Sequence, residues 1–377
     1  MIYFWLFAVF ILGAIVGSFL NVCIARLPLQ KSILWPTTSR CNHCLQPIRR
    51  WDNIPLLSYW LLKGKCRSCG APFSLQYFLV ELATGLGFVG LFYLIAIVNI
   101  HRWAVVANAP GIPLGLVPLE VWIAFVHHAV LFGFLMVAVV CDLNEREIPL
   151  SVTIPGTLVG LAFAVLCPWP WPWTLPEAFA VIWNLPIGWL LPPGVVPNGP
   201  IVVRDGLYPW PVWGPIPAWL GPGTWQMGLA TGVVGILVGT FLLRAVRFLF
   251  SVGRGVEGLG LGDADLMMMA GSFVGWQPVV VAFFVSVVPG LCMGIVQLYL
   301  RGNKPFSFGP ALAIGVLFTY LCWPWIGPTM RPLFFDGQLL GLLAMAGCVF
   351  MLIAAVVLRL FRGKPEGDNE GEMKKAG

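Results

Sequence analysis

A chain of 377 residues that is 59% hydrophobic and only 10% charged carries too little polar surface to cover a soluble domain. Its apolar residues run in stretches that approach or exceed the roughly 20 needed to cross a bilayer core, which excludes an ordinary soluble enzyme. The reading is an all-α polytopic membrane protein with about 8–9 transmembrane helices, and the net charge of +6 matters less than where the basic residues fall.

Spans are expected near residues 3–24, 77–98, 121–141, 151–167, 226–249, 264–277, 279–300, 308–326 and 338–359. Residues 3–22 lack a basic n-region and a convincing cleavage site, so they read as a retained first span. The span at 264–277 is short and reads as broken or tilted. The chain therefore divides into a first span (1–25), a soluble module (26–76), spans over 77–166, an insertion (167–225), spans over 226–362 and a polar tail (363–377). The tail is rich in Gly, Glu and Lys and is expected to be disordered.

Segment 26–76 carries eight basic residues (Arg26, Lys31, Arg40, Arg49, Arg50, Lys63, Lys65 and Arg67) against one acid, Asp52. Arg244, Arg247 and Arg254 fall on the same side, as do Arg359, Arg362 and Lys364. The positive-inside rule then puts the N-terminus outside and the module in the cytoplasm. The insertion holds nine of the 18 tryptophans and 14 of the 32 prolines, beginning Cys167-Pro168-Trp169-Pro170-Trp171. Proline at that density forbids a regular helix, and tryptophan favours the membrane boundary. An interfacial periplasmic elaboration is expected there, with partner docking as the alternative.

Four of the ten cysteines form two pairs in the basic module, Cys41-x-x-Cys44 and Cys66-x-x-Cys69. Two such pairs complete a tetrahedral zinc site of four thiolates, and a reducing compartment argues against disulfides. Four thiolates leave no open position, so the zinc is structural. In a segment with little core of its own it supplies folding free energy. His43, inside the first pair, is a competing ligand that four cysteines make unnecessary.

Asp142 ends one apolar span, in Cys141-Asp142-Leu143-Asn144-Glu145. Asp263 begins another, in Gly258-Leu259-Gly260-Leu261-Gly262-Asp263. Ionisable residues at membrane depth are functional candidates, and two carboxyls brought together share a proton, one serving as acid and the other as base. Such a pair activates water against a peptide carbonyl without a covalent intermediate. The competing reading is a helix cap, since a first-turn acid such as Asp263 is favoured on electrostatic grounds. The glycines before Asp263 permit close backbone approach. Asp265, two residues on, points to a different side of a helix, and Glu147 is expected to be solvated.

With these residues in place, the pattern resembles the type IV prepilin peptidase family. The resemblance runs through Gly17-Ser18-Phe19-Leu20-Asn21-Val22 with Arg26-Leu27-Pro28, the Cys41–Cys69 module containing Asn53-Ile54-Pro55-Leu56-Leu57-Ser58-Tyr59, and Phe78-Leu79-Val80-Glu81-Leu82. It is completed by Gly260-Leu261-Gly262-Asp263 and Phe308-Gly309-Pro310. It implies a multi-pass protein of the bacterial inner membrane. Its activity would be cleavage of the leader from type IV prepilins and type II secretion pseudopilins on the cytoplasmic side, by Asp142 and Asp263. It also implies methylation of the new N-terminal residue, often Phe, with S-adenosylmethionine. Glu81 and Lys65 are the candidates to hold that cofactor or the substrate amine, and Cys41, Cys44, Cys66 and Cys69 are the zinc ligands. One departure is Asp265, where the family commonly has lysine. The rivals are a presenilin-like GxGD protease, which lacks the two-pair cysteine loop, an assembly factor or ion transporter, and a scaffold that has lost catalysis. No nucleic-acid partner is expected.

Overall fold

The computed structural model describes residues 1–33, 35, 38–41, 43–167, 224–255, 260–301, 306–335 and 337–362. The expected tail at 363–377 and residues 168–223 of the expected insertion lie outside the described residues, as do Gly258 and Leu259. Among the described residues the chain is helical, with two isolated β-bridges in the cysteine segment.

An apolar α1 (Ile2–Arg26) leads into the soluble segment, which contains the short α2 (Leu57–Leu61). The chain returns through α3 (Leu75–Phe92), started by the Ser74 side chain accepting the Gln76 N–H. After α4 (Ala104–Ala107) come two antiparallel helices, α5 (Leu119–Glu145) and α6 (Leu150–Leu166). Arg146 turns between them in the left-handed conformation, at φ 58°. Then follow α7 (Trp225–Arg254), α8 (Leu261–Val274), α9 (Trp276–Arg301), α10 (Gly309–Leu321), α11 (Trp323–Phe335) and α12 (Gly337–Arg362). Six stretches are long and apolar enough to cross a membrane: Ile2–Arg26, Leu75–Ile97, Leu119–Glu145, Trp225–Gly253, Trp276–Leu300 and Gly337–Val357. Leu150–Leu166 and Gly309–Leu321 are shorter apolar helices.

The short span expected at 264–277 is α8, which runs for 14 residues and stops at Gly275, φ 83°. That left-handed glycine lets α9 begin at the next residue in a new direction. Helix α8 is short because it is central. It packs against α5, α6, α7, α9 and α10, and its residues from Asp263 to Val274 are almost all buried. The span expected at 308–326 ends earlier, at Leu321, and a separate α11 follows. Pro324 falls in the first turn of α11, where its missing N–H costs nothing.

Between helices with apolar surfaces on all sides, close association depends on small residues that let backbones touch. A Cβ placed on Gly235 of α7 would lie 2.1 Å from the Gly271 carbonyl oxygen of α8, and the reverse substitution meets Gly235 at the same distance. On the other side of the molecule, a Cβ on Gly17 of α1 would lie 2.8 Å from the Glu81 Cα of α3. Three further links tie the ends of these helices together. Asn21 Nδ2 donates to the Tyr77 carbonyl, the Ser151 hydroxyl donates to the Leu27 carbonyl, and Gly262 rests against Ile148. The cysteine segment and both candidate aspartates therefore occupy one end of the bundle.

Substituting Gly271→Ala should force α7 and α8 apart and cost about 1–3 kcal/mol, the usual penalty of overpacking. Gly341→Ala, with open space at its Cα, should be neutral. Thermal unfolding of the two variants in detergent measures the difference.

Candidate active site and metal centre

Asp142 sits in the last turn of α5, the wrong end of its own helix for a negative charge. The compensation comes from α10. Its first residue, Gly309, donates its N–H to Asp142 Oδ2 at 2.9 Å, and the Ser307 hydroxyl donates to the Asp142 carbonyl at 2.9 Å. The positive end of α10 thus faces the carboxylate. A side chain at 309 is impossible in this arrangement, because its Cβ would lie 2.4 Å from Oδ2.

Asp263 stands in the first turn of α8, whose N-cap is Gly260. Its carboxyl lies beside Gly260, in the first turn where an acid is favoured by the helix dipole. The first-turn reading is therefore correct as local structure, and it does not exclude chemistry. Asp142 and Asp263 are both buried, on helices α5 and α8 that pack against each other. The glycine before Asp263 is what allows this. A Cβ on Gly262 would lie 3.0 Å from the Ile148 backbone nitrogen, so glycine lets the start of α8 lie against the loop that leaves α5.

Asp265 is buried as well but faces α7, where Arg244 Nη2 lies 3.7 Å from its Oδ1. The two-residue offset thus separates the two α8 carboxyls, Asp263 toward α5 and Asp265 toward α7. Glu147 is exposed in the α5–α6 turn.

In the soluble module the two cysteine pairs fold alike. Leu45 N–H donates to the Cys41 carbonyl and Cys41 N–H to the Gln46 carbonyl; Gly70 N–H donates to the Cys66 carbonyl and Cys66 N–H to the Ala71 carbonyl. Each turn closes with a bridge, Arg40 with Pro47 and Lys65 with Pro72. Each also has a left-handed residue at the same place, Leu45 at φ 58° and Gly70 at φ 71°. The ligand atoms of Cys41, Cys44, Cys66 and Cys69 all lie within 4.8 Å of one another, and Cys41 Sγ is 3.8 Å from Cys69 Sγ. Tetrahedral zinc with Zn–S of about 2.3 Å places sulfurs ~3.8 Å apart, so the donor set fits that ion. The Cys44 and His43 backbone N–H groups hold the Cys41 thiol down to about 6, whereas against the Ala71 N–H, burial and the three neighbouring thiols push Cys69 up to about 11.

Glu81 and Lys65 are placed differently from each other. Glu81 lies in α3, where Oε2 accepts the Leu56 N–H at 2.8 Å and the carboxylate takes a bond from Ser18. It thereby fastens the cysteine module to α1 and α3. Lys65 is exposed at the start of the second cysteine turn.

Sequence reading missed a buried polar cluster at the other end of α5. His101, His127, His128 and Tyr320 meet there. His101 Nε2 faces His128 Nε2 at 2.9 Å, and the Tyr320 hydroxyl bonds both His127 and His128. Three of the chain's four histidines lie in it, which was a compositional signal. Nothing in their spacing announced that Tyr320, almost 200 residues later, would join them. Helix α10 is thus tied to α5 at both ends, by Gly309 to Asp142 and by Tyr320 to the histidines.

Comparison with known proteins finds similarity at two levels. A family model for the bacterial peptidase A24 N-terminal domain matches residues 11–95, and one for the type IV leader peptidase family matches residues 202–295. The second range contains Asp263, and Asp142 lies between the two. A prepilin leader peptidase/N-methyltransferase of Myxococcus xanthus is 33% identical over 303 residues, 79% of this chain and 65% of that protein. Proteins of the same name in Aeromonas hydrophila and Pectobacterium carotovorum are 27% and 29% identical, over 82% and 83% of this chain and 89% and 92% of their own. This chain thus spans just under two thirds of the Myxococcus protein and most of the other two. Among solved structures none matches at a significant level.

Metal analysis of the purified protein should find a single zinc ion per chain. Cys66→Ser should lose most of it. Hydrogen exchange should then rise over residues 38–73 and stay unchanged in α5 and α8, because the metal organises only the module.

Proposed function

We propose that this chain is a member of the type IV leader peptidase family, a membrane aspartic endopeptidase removing the leader of type IV prepilins and type II secretion pseudopilins. Asp142 and Asp263 are the proposed acid–base pair. The observation that carries the proposal is their joint burial at one end of the bundle, where the N-terminus of α10 engages Asp142 and α8, which opens with Asp263, packs against both α5 and α10. One carboxylate takes a proton from water as it attacks the scissile carbonyl, and the other gives its proton to the leaving amine. Neither residue needs to form a bond to the substrate.

The protein is a multi-pass membrane protein, and its placement in the bacterial inner membrane with the aspartate end in the cytoplasm is part of the proposal. Support comes from charge. The basic 26–76 segment and Arg244, Arg247 and Arg254 fall at the aspartate end, the distribution expected of a cytoplasmic face. The module is proposed to hold structural zinc. Methylation of the new N-terminus is proposed as a second activity, by the names the relatives carry, with S-adenosylmethionine as donor. Lys65 is exposed and free to approach that cofactor or the amine. Glu81 is already engaged by Leu56 and Ser18, which supports a holding role for it. The cysteine module also argues against the presenilin-like reading.

The test is to incubate the purified protein with a prepilin and S-adenosylmethionine and read the product by mass spectrometry. Wild type should release the leader and add a methyl group. Asp142→Asn and Asp263→Asn should each lower cleavage by about 10²–10⁴-fold or more, the usual reach of general acid–base catalysis. Gly309→Ala should also impair cleavage, since its methyl group displaces the Asp142 carboxylate. An intact prepilin after wild-type treatment would favour the transporter or scaffold readings.

A further inference from the structure

Helix α2 is only five residues long, yet it exposes Leu57, Trp60 and Leu61 at 57%, 67% and 71%. Large apolar side chains concentrated in one short element of a soluble segment need something to cover them. The position of α2 says what that is. The rings of Tyr59 and Trp60 pack against Phe78, each 5.7 Å from it. Phe78 belongs to the first turn of α3, where the apolar stretch Leu75–Ile97 begins. Leu75 and Leu79, on either side of Phe78, are themselves exposed. The apolar face of α2 therefore lies beside the outward-facing entry of a membrane span.

This placement is held in register. Leu56, the N-cap of α2, has φ 64°, a left-handed conformation that leucine adopts only under constraint. The constraint is Glu81, one turn deeper in α3 than Phe78, which accepts the Leu56 N–H. Charge completes the pattern. The single acid of the module, Asp52, is taken by Arg67 at 2.6 Å, while Lys63 and Lys65 follow α2 directly as exposed cations. Tryptophan and leucine at the depth where a span starts, with lysines next to them, is the composition of an interfacial anchor for anionic lipid.

We propose that the cysteine module docks on the membrane surface through Leu57, Trp60 and Leu61 of α2, with Lys63 binding anionic headgroups. The module then lies against the leaflet in a fixed orientation over the aspartate end of the bundle. The proposal rests on the module's own geometry and does not depend on the peptidase reading.

The full chain, zinc-loaded, is placed in nanodiscs of phosphatidylcholine alone or with added phosphatidylglycerol, and hydrogen exchange is followed over residues 54–67. Exchange should slow about tenfold in the anionic discs, in line with the pull of such surfaces on nearby lysines. Lys63→Glu should abolish that dependence on lipid charge. The pair Leu57→Ser with Leu61→Ser, both exposed side chains, should speed exchange in both lipids while zinc content stays at the wild-type level. Equal exchange in the two lipids, with neither variant having an effect, would overturn the proposal. So would protection that appears only when a prepilin is added, which would make the face a protein-docking surface.

Discussion

A carboxylate at the end of an apolar bundle is stable only if something replaces the water it has lost. For Asp142 the replacement is the backbone of α10, and much of the architecture follows from that bond. Gly309 must be glycine for α10 to come close enough, and Tyr320 at the far end of α10 holds the same helix to α5 through the histidines. Helix α8 is then confined between α5, α6, α7, α9 and α10, which buries Asp263 at the same end as Asp142 and turns Asp265 toward Arg244. Two acids that each satisfy a local rule, one facing a neighbouring helix N-terminus and one in the first turn of its own helix, lie buried at the same end of the bundle because glycine brings their elements together.

The soluble module solves a different problem with the same economy. It has little core, so two copies of one turn, each offering two thiols, converge on a single tetrahedral position. Its attachment to the bundle is polar and specific, through Glu81, and its outer face is apolar and basic. The two turns gather the four thiols, and Glu81 of α3 ties the module to the bundle.

Much of this was legible in the sequence, because hydropathy is written residue by residue. Each of the nine expected spans has a helix, and the cysteine spacing announced a four-sulfur cluster. What escaped was long-range. The boundary at Leu321 was missed because Trp323 and its neighbours are apolar enough to read as a continuing span, although Pro324 marks a new helix start. The Gly309–Asp142 bond joins positions 167 apart, and no local pattern predicts such a contact. Asp265 looked like an anomaly in the sequence, and its partner Arg244 belongs to another helix and became visible only through packing. Glu81 also accepts the Leu56 N–H, a contact 25 residues away that its own sequence surroundings do not announce.

The central claim is that Asp142 and Asp263 act as one proton-sharing pair. The pH dependence of kcat/KM for leader cleavage by the purified protein tests it most directly. The account predicts a bell-shaped profile set by two ionisations belonging to the pair, with activity lost on the acid side when both carboxyls are protonated and on the alkaline side when neither is. A profile governed by a single ionisation, and kept unchanged when either aspartate is replaced by asparagine, would contradict it.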